Sequence, residues 1–221
     1  MILNNFIIRI FTSLLLLLFL YFIFHNKFLM IFSMIIILII TNIEFNNLLL
    51  KINFFKKKTL KILLFRAIFF LYLLCFVLII SYVFFNELPY LKFVILYCTL
   101  ISIISDIGGY VVGNILKGKK LTSISPNKTI SGSLGSIFFS SLLIPFFDEN
   151  FINLSSYVIF LFTIVISIIS QLGDLFISFL KRLAKVKDTG NLLPGHGGLL
   201  DRIDGLIFAI PLGFIIINYF S

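Results

Sequence analysis

Residues 62–85 read ILLFRAIFFLYLLCFVLIISYVFF, with Arg66 the one charged side chain among them. A helix crosses the hydrocarbon core of a bilayer with about 20 apolar residues, roughly 17–25 being the usual range. A surface helix of a water-soluble domain keeps a polar face for solvent, and this run has none. The stretch predicts a membrane-spanning helix, and the chain around it repeats the same character.

Of the 221 residues, 60% are hydrophobic and 12% are charged. A soluble domain is roughly 45–50% apolar and about 25% charged, and one core of this size has no room for the excess. Seven spans are expected, near 6–25, 28–48, 62–85, 89–108, 132–147, 153–176 and 203–220. The fifth is short, so it is expected to tilt or to re-enter. Arg9 precedes the first apolar run, but no small-residue cleavage site follows it. His25, Asn26 and Lys27 come next, so 6–25 reads as a span and not as a leader. The expected fold class is all-α: a polytopic integral membrane helical bundle of about seven transmembrane helices, forming one membrane domain over 1–221. Within it, 1–100 holds the N-terminal spans, 105–204 the chemistry-bearing region with two motif loops, and 203–220 the last span. The 29 Phe and absent Trp reflect nucleotide composition and leave Tyr and Phe for the interfacial belt.

The net charge of +9 does not read as a nucleic-acid footprint. The basic residues sit in short loops between apolar runs, where they set topology and meet anionic headgroups, and no nucleic-acid motif accompanies them. With the N-terminus cytoplasmic and the spans alternating, only Lys27 and Lys92 of the 18 basic residues face outward. The orientation is therefore a cytoplasmic N-terminus, with both motif loops on the cytoplasmic side. Cys75 and Cys98 lie in apolar segments without metal-ligand spacing and read as buried hydrophobes.

Polar chemistry concentrates in 106–135 and 174–204. Asp106 and Asp174 each end an apolar run, and the plain reading is a helix-end acid reaching water. Gln171, Asp174, Ser178 and Lys181, however, recur at intervals of three, four and three, which lays one polar stripe along a helix face. Lipid cannot satisfy such a stripe, so it must face a wet cavity or polar partners. In Pro194-Gly-His-Gly-Gly-Leu-Leu-Asp-Arg-Ile-Asp204, three glycines permit a tight turn and close approach of backbone N–H groups to an anion. Asp201 and Asp204 share a face there. Paired carboxylates beside phosphate substrates suggest Mg²⁺, with or without a second cation, and Asp174 as a third ligand. Lys181, Arg182, Lys185, Lys187 and Arg202 read either as a solvated topology-setting run or as a phosphate clamp. Ser125, Lys128 and Thr129 precede an apolar helix and suggest a phosphate cradle. His196 reads as a hydrogen-bond anchor or a base. No catalytic triad, HExxH or GxSxG pattern is present.

The stretch from Ser178 to Asp204 closely resembles the signature of the phosphatidate cytidylyltransferase family, S-x-x-K-R, then K-D, then P-G-H-G-G-x-x-D-R-x-D, and every fixed position is filled. Ser105-Asp-Ile-Gly-Gly-Tyr110, Ser125-Pro-Asn-Lys-Thr129 and Gln171-Leu-Gly-Asp174 resemble three further family segments. The resemblance covers roughly 105–204. Ser131 stands where the family usually has Glu, Gly109 where it has Ala, and the chain is short for the family, which suggests that one or two N-terminal spans are missing.

The resemblance implies attack by the phosphatidate phosphate on CTP, giving CDP-diacylglycerol and pyrophosphate in phospholipid biosynthesis. It implies metal at Asp174, Asp201 and Asp106, with Asp204, Lys187, Asp188 and His196 completing the catalytic set. Ser125, Lys128, Thr129, Ser178, Lys181, Arg182 and Arg202 would hold CTP or lipid phosphate. A homodimer in the inner (plasma) membrane, contacting membrane lipids and no nucleic acid, is the expected setting. A CTP-dependent lipid kinase is the nearest competing reading. A transporter is disfavoured, because no inverted repeat or paired half-helices are visible.

Overall fold

The computed structural model describes residues 26–52, 59–122, 125, 128–147, 155–192 and 197–220. They form α1 (Lys27–Lys51), α2 (Thr59–Phe85), α3 (Pro89–Leu116), α4 (Ile130–Ser141), α5 (Ser156–Leu183) and α6 (Leu200–Phe220), with a short 3₁₀ turn at Ile144–Phe146. The all-α class holds. Helices α1, α2, α3 and α5 are long and apolar enough to cross a membrane. The expected first span lies outside the described residues. The expected fifth span is not one continuous helix: α4 has only 12 residues before the 3₁₀ turn that carries Pro145, and proline cannot donate within a helix.

Two boundaries differ from the sequence reading in a way that matters. The acids Asp106 and Asp174 do not end their helices. Helix α3 continues to Leu116 and α5 to Leu183, so each acid sits more than two turns inside. At 28 residues each, these helices are about 42 Å long, well beyond a hydrocarbon core of about 30 Å. The backbone hydrogen bonds of both helices therefore continue past the acids, through the residues that follow Asp106 and Asp174.

The chain divides into two compact units. One takes residues to Asn86 together with Leu180–Ile203; the other takes Glu87–Phe179 and the chain from Asp204. In the first unit α1 packs on α2. Phe45 stacks on Phe69 with ring centroids 3.5 Å apart, and Lys27 lies 5.8 Å over the Phe85 ring, a cation–π contact near the helix ends. Asn26 caps α1 by accepting from the Phe28 and Leu29 amides. The outward side is apolar, with Phe28, Phe32, Ile35, Ile39 and Ile43 exposed, as a lipid-facing side requires.

In the second unit α3 packs closely on α4. A Cβ on Gly108 would lie 2.6 Å from Phe139 Cβ and 2.8 Å from the Gly135 carbonyl oxygen, so only glycine allows this approach. Tyr97 is fully buried between Phe147 and Phe162. Its hydroxyl lies 2.6 Å from Thr163 Oγ1, whose own proton goes to the Ile159 carbonyl. Tyr97 is therefore the donor of that pair. Ser105, Ser136, Ser140 and Ser167 are also buried here, and Ser136 donates to the Ser105 carbonyl at 2.7 Å.

Candidate functional site

The loop from α3 to α4 is braced by bonds that position Lys128. Lys117 ends α3 in the left-handed region, at φ 44 and ψ 48, with its amide on the Gly113 carbonyl. An isolated antiparallel bridge joins Lys120 and Thr129, with the Leu121 amide on the Lys128 carbonyl at 2.8 Å and the Ile130 amide on that of Lys119 at 2.9 Å. Thr129 then caps α4 through Oγ1, accepting from the Gly132 amide at 3.0 Å. Ser131 closes the base of the loop: its Oγ accepts from the Gly118 amide at 3.2 Å and lies 3.1 Å from Thr129 Oγ1. It braces the turn where the family signature has Glu.

These elements border a cavity of about 320 Å³ within the second unit. Its wall includes Ser105, Asp106, Gly109, Tyr110 and Leu121, then Ser125, Lys128, Thr129, Gly132, Ser133 and Ser136, and finally Gln171, Asp174 and Ser178. Lys128 forms an ion pair with Asp174, both about a quarter exposed. Ser178 donates to Asp174 Oδ1 at 3.2 Å, and Ser133 donates to Gln171 Oε1 at 2.6 Å. The buried Asp204 lies beside Asp174, within Coulomb reach of it and of Asp106, and accepts from the Gly205 amide at 2.9 Å. The start of a helix beside a lysine favours an anion; the adjoining carboxylates favour a hard cation.

The first unit holds a second polar cluster. Lys181 donates to Asp201 Oδ1 at 2.7 Å. Asp201 Oδ2 accepts from the Thr189 amide at 2.7 Å, the Thr189 hydroxyl at 2.9 Å and the Gly198 amide at 3.1 Å. Burial pushes this carboxyl up, but Lys181 and these donors outweigh it and hold Asp201 below the ordinary carboxylate range. Asp201 precedes the apolar 203–220 stretch. Gly197 has φ +84, a conformation L side chains rarely adopt.

The sequence-predicted residues thus fall into distinct groups. Ser125, Lys128, Thr129, Ser178, Asp106 and Asp174 share the cavity wall, and Asp204 backs Asp174. Lys181 and Asp201 pair in the first unit. Arg182, Lys187, Asp188 and Arg202 are exposed. His196 lies outside the described residues. Among the described residues, no three His, Cys, Asp or Glu side chains come together as a ready-made metal cage. Mg²⁺ typically takes one or two carboxylates plus phosphate oxygens and water, and the carboxylates on the cavity wall are Asp106 and Asp174.

Two features went unread in the sequence. Ser133 and Ser136 line the cavity beside Gln171 of the polar stripe, and the three-residue spacing of the two serines on α4 was a legible signal. The buried Glu44 was missed altogether. It accepts from the Thr189 hydroxyl at 3.0 Å and from the Leu199 and Leu200 amides at 3.0 and 2.8 Å. Its signal was a carboxylate standing alone inside the 28–48 span. Three amides at the end of the Gly-rich turn, expected to face an outside anion, are in this structure taken by the protein's own carboxylates. Gly198 serves Asp201; Leu199 and Leu200 serve Glu44.

Comparison with known proteins relates the sequence that carries this site to others. The chain is 46% identical over 121 residues to a phosphatidate cytidylyltransferase of Staphylococcus haemolyticus (strain JCSC1435), covering 53% of this chain and 46% of the relative. The same coverage holds for phosphatidate cytidylyltransferases of Staphylococcus epidermidis (strain RP62A) at 46% identity and Staphylococcus aureus (strain COL) at 44%. The matched stretch thus spans about half the length of these curated relatives. The profile of the cytidylyltransferase family matches residues 2–220, nearly the whole sequence, and the chain belongs to that family.

Proposed function

We propose that this protein joins CTP to phosphatidate, giving CDP-diacylglycerol and pyrophosphate. The observation that carries the reading is the cavity of the second unit. There Lys128 and the first turn of α4 offer an anion site beside the Asp174–Asp204 carboxylates, in a chain whose long helices are apolar enough for a membrane. The shared motif residues and the names of the relatives support the same substrates.

In the proposed reaction an oxygen of the phosphatidate phosphate bonds to the α-phosphorus of CTP. The bond from that phosphorus to the bridging oxygen breaks, and pyrophosphate leaves with the oxygen. The residues have little covalent work, so positioning and charge neutralisation dominate. Lys128, Thr129 and Ser125 hold the nucleotide phosphates. Ser178, Lys181, Arg182 and Arg202 hold nucleotide or lipid phosphate, and Lys187, Asp188 and His196 complete the catalytic set by resemblance. Mg²⁺, with or without a second cation, would offset the charge on the nucleotide and the departing pyrophosphate. Asp174, whose oxygens meet Lys128 and Ser178, is the ligand that the cavity wall would offer, with Asp106 on the same wall. Asp201 is assigned by resemblance, and its oxygens are meanwhile occupied by Lys181, Thr189 and Gly198.

The proposed setting is the inner (plasma) membrane, multi-pass, with the active site towards the cytoplasm. The one-sided distribution of basic residues supports this. A homodimer rests on the resemblance alone, because the Gly108 and Gly135 faces are filled within the chain; mass measurement in nanodiscs decides it.

Incubation of the purified protein in mixed micelles with phosphatidate, Mg²⁺ and CTP labelled in the cytosine ring tests the proposal. Label entering the lipid phase with equal release of pyrophosphate is expected. Label remaining in water as CDP while a polyprenol gains phosphate would overturn it in favour of a lipid kinase.

A further inference from the structure

The Glu44 carboxylate is placed where a plain span has no use for one. It sits on α1, an apolar helix, about two turns before Lys51. A carboxylate inside a span is costly, and it is tolerated here because its oxygens meet donors that also lack partners. The first amides of a helix have no intrahelical acceptor, and the partial positive charge at that end favours an anion. Glu44 accepts from the Leu199 and Leu200 amides at 3.0 and 2.8 Å, capping the start of α6 from 155 and 156 residues away in sequence.

The same carboxylate reaches Asp201 through one side chain. Thr189 Oγ1 lies 3.0 Å from Glu44 Oε2 and 2.9 Å from Asp201 Oδ2. A hydroxyl carries one proton, so it donates to one acid at a time and ties the two into a single network. Two glycines leave room for the arrangement. A Cβ on Gly190 would lie 2.6 Å from Glu44 Oε1, and one on Gly198 would lie 2.7 Å from Glu44 Oε2.

We propose that Glu44 is a positioning residue. It fixes Thr189 and the start of α6 at Leu199 and Leu200 against α1 and thereby sets where Asp201 is presented. The inference rests on the cytidylyltransferase reading for its consequence in turnover, but not for its structural content. Loss of a group that orients a working residue typically costs about 10–100-fold in activity.

The test uses the full chain in nanodiscs, comparing wild type with the near-isosteric Glu44→Gln. Amide hydrogen exchange is read in peptides covering 197–203, and steady-state cytidylyl transfer is measured alongside. Exchange at 197–203 is expected to rise about tenfold while α2 and α3 keep their protection. The expected fall in kcat is about 10–100-fold, with the KM for CTP little changed. Unchanged exchange at 197–203 would overturn the proposal. So would a rise spread over every helix, since that marks a general fold contact, or a local rise with wild-type kcat. If Glu44→Gln fails to accumulate, Thr189→Val removes only the bridging hydroxyl and is judged by the same outcomes. A wild type that exchanges as expected but transfers no cytidylyl group would sink the activity reading, while the exchange result still decides whether Glu44 holds the segment.

Discussion

Lys181 Nζ donates to Asp201 Oδ1 at 2.7 Å, joining the last turn of α5 to the first turn of α6. The two side chains are only 14% and 6% exposed, so water screens the pair weakly. An ion pair this well shielded is costly to break from one side, because the remaining charge keeps its desolvation without its partner.

Replacing Lys181 by Met should therefore lower stability by about 1.5–3 kcal/mol, the range for hydrogen bonds to charged groups. The thermal midpoint in detergent checks this. Arg182→Met, at the exposed neighbouring position, should leave the midpoint nearly unchanged.

Asp201 is held below its ordinary value of 3.8 in the folded protein. The folded state thus binds the proton less readily than the unfolded chain, and the stabilisation is complete above the unfolded value. It disappears as pH falls through the lowered folded value. The wild-type midpoint should drop as pH is taken below about 4, and the gap between wild type and Asp201→Asn should narrow over the same interval. A gap that does not change with pH would contradict this.

Lys128 is the cation of the cavity wall, paired with Asp174. Lys128→Met should cut kcat/KM for CTP by about 10²-fold, the scale for losing one electrostatic stabiliser. Lys128→Arg keeps the charge and should retain part of the activity. Steady-state kinetics with CTP varied distinguishes the two.

Gly135 packs against the Val112 side chain and beside Gly108. A larger side chain there must push α3 and α4 apart, and overpacking typically costs about 1–3 kcal/mol. Gly135→Leu should lower the thermal midpoint accordingly. Leu134→Ala, at the outward neighbour, should not.

Tyr97 donates to Thr163 in the buried core of the second unit. Hydrogen bonds between helices in membranes average about 0.6 kcal/mol and reach about 1.7. Tyr97→Phe should cost an amount in that range. Thr163→Val should cost more, because it strands the Tyr97 hydroxyl without an acceptor. Chemical denaturation in micelles ranks the two.

The sequence showed clearly which solvent the chain needs. Run length decides whether a helix can cross lipid, and that property is local, so 28–48, 62–85, 89–108 and 153–176 all appear as helices with shifted ends. The same locality made the polar stripe readable: Gln171, Asp174 and Ser178 are spaced to share one face, and all three line the cavity. The ends shifted because hydropathy records where lipid stops, while α3 and α5 end only where their hydrogen bonds do, at Leu116 and Leu183.

By itself, then, the sequence determined a helical membrane protein with its polar chemistry gathered in two segments, because composition, period and spacing act within one or two turns. Only the tertiary structure decided which partner each acid meets. Asp174 on α5 faces Lys128 in the loop between α3 and α4, and Asp201 faces Lys181 across 20 residues of chain. Glu44 takes the amides at the start of α6 across more than 150 residues. A hydrogen bond depends on distance in space, and no local spacing in the chain records which distant amide will be left without an acceptor.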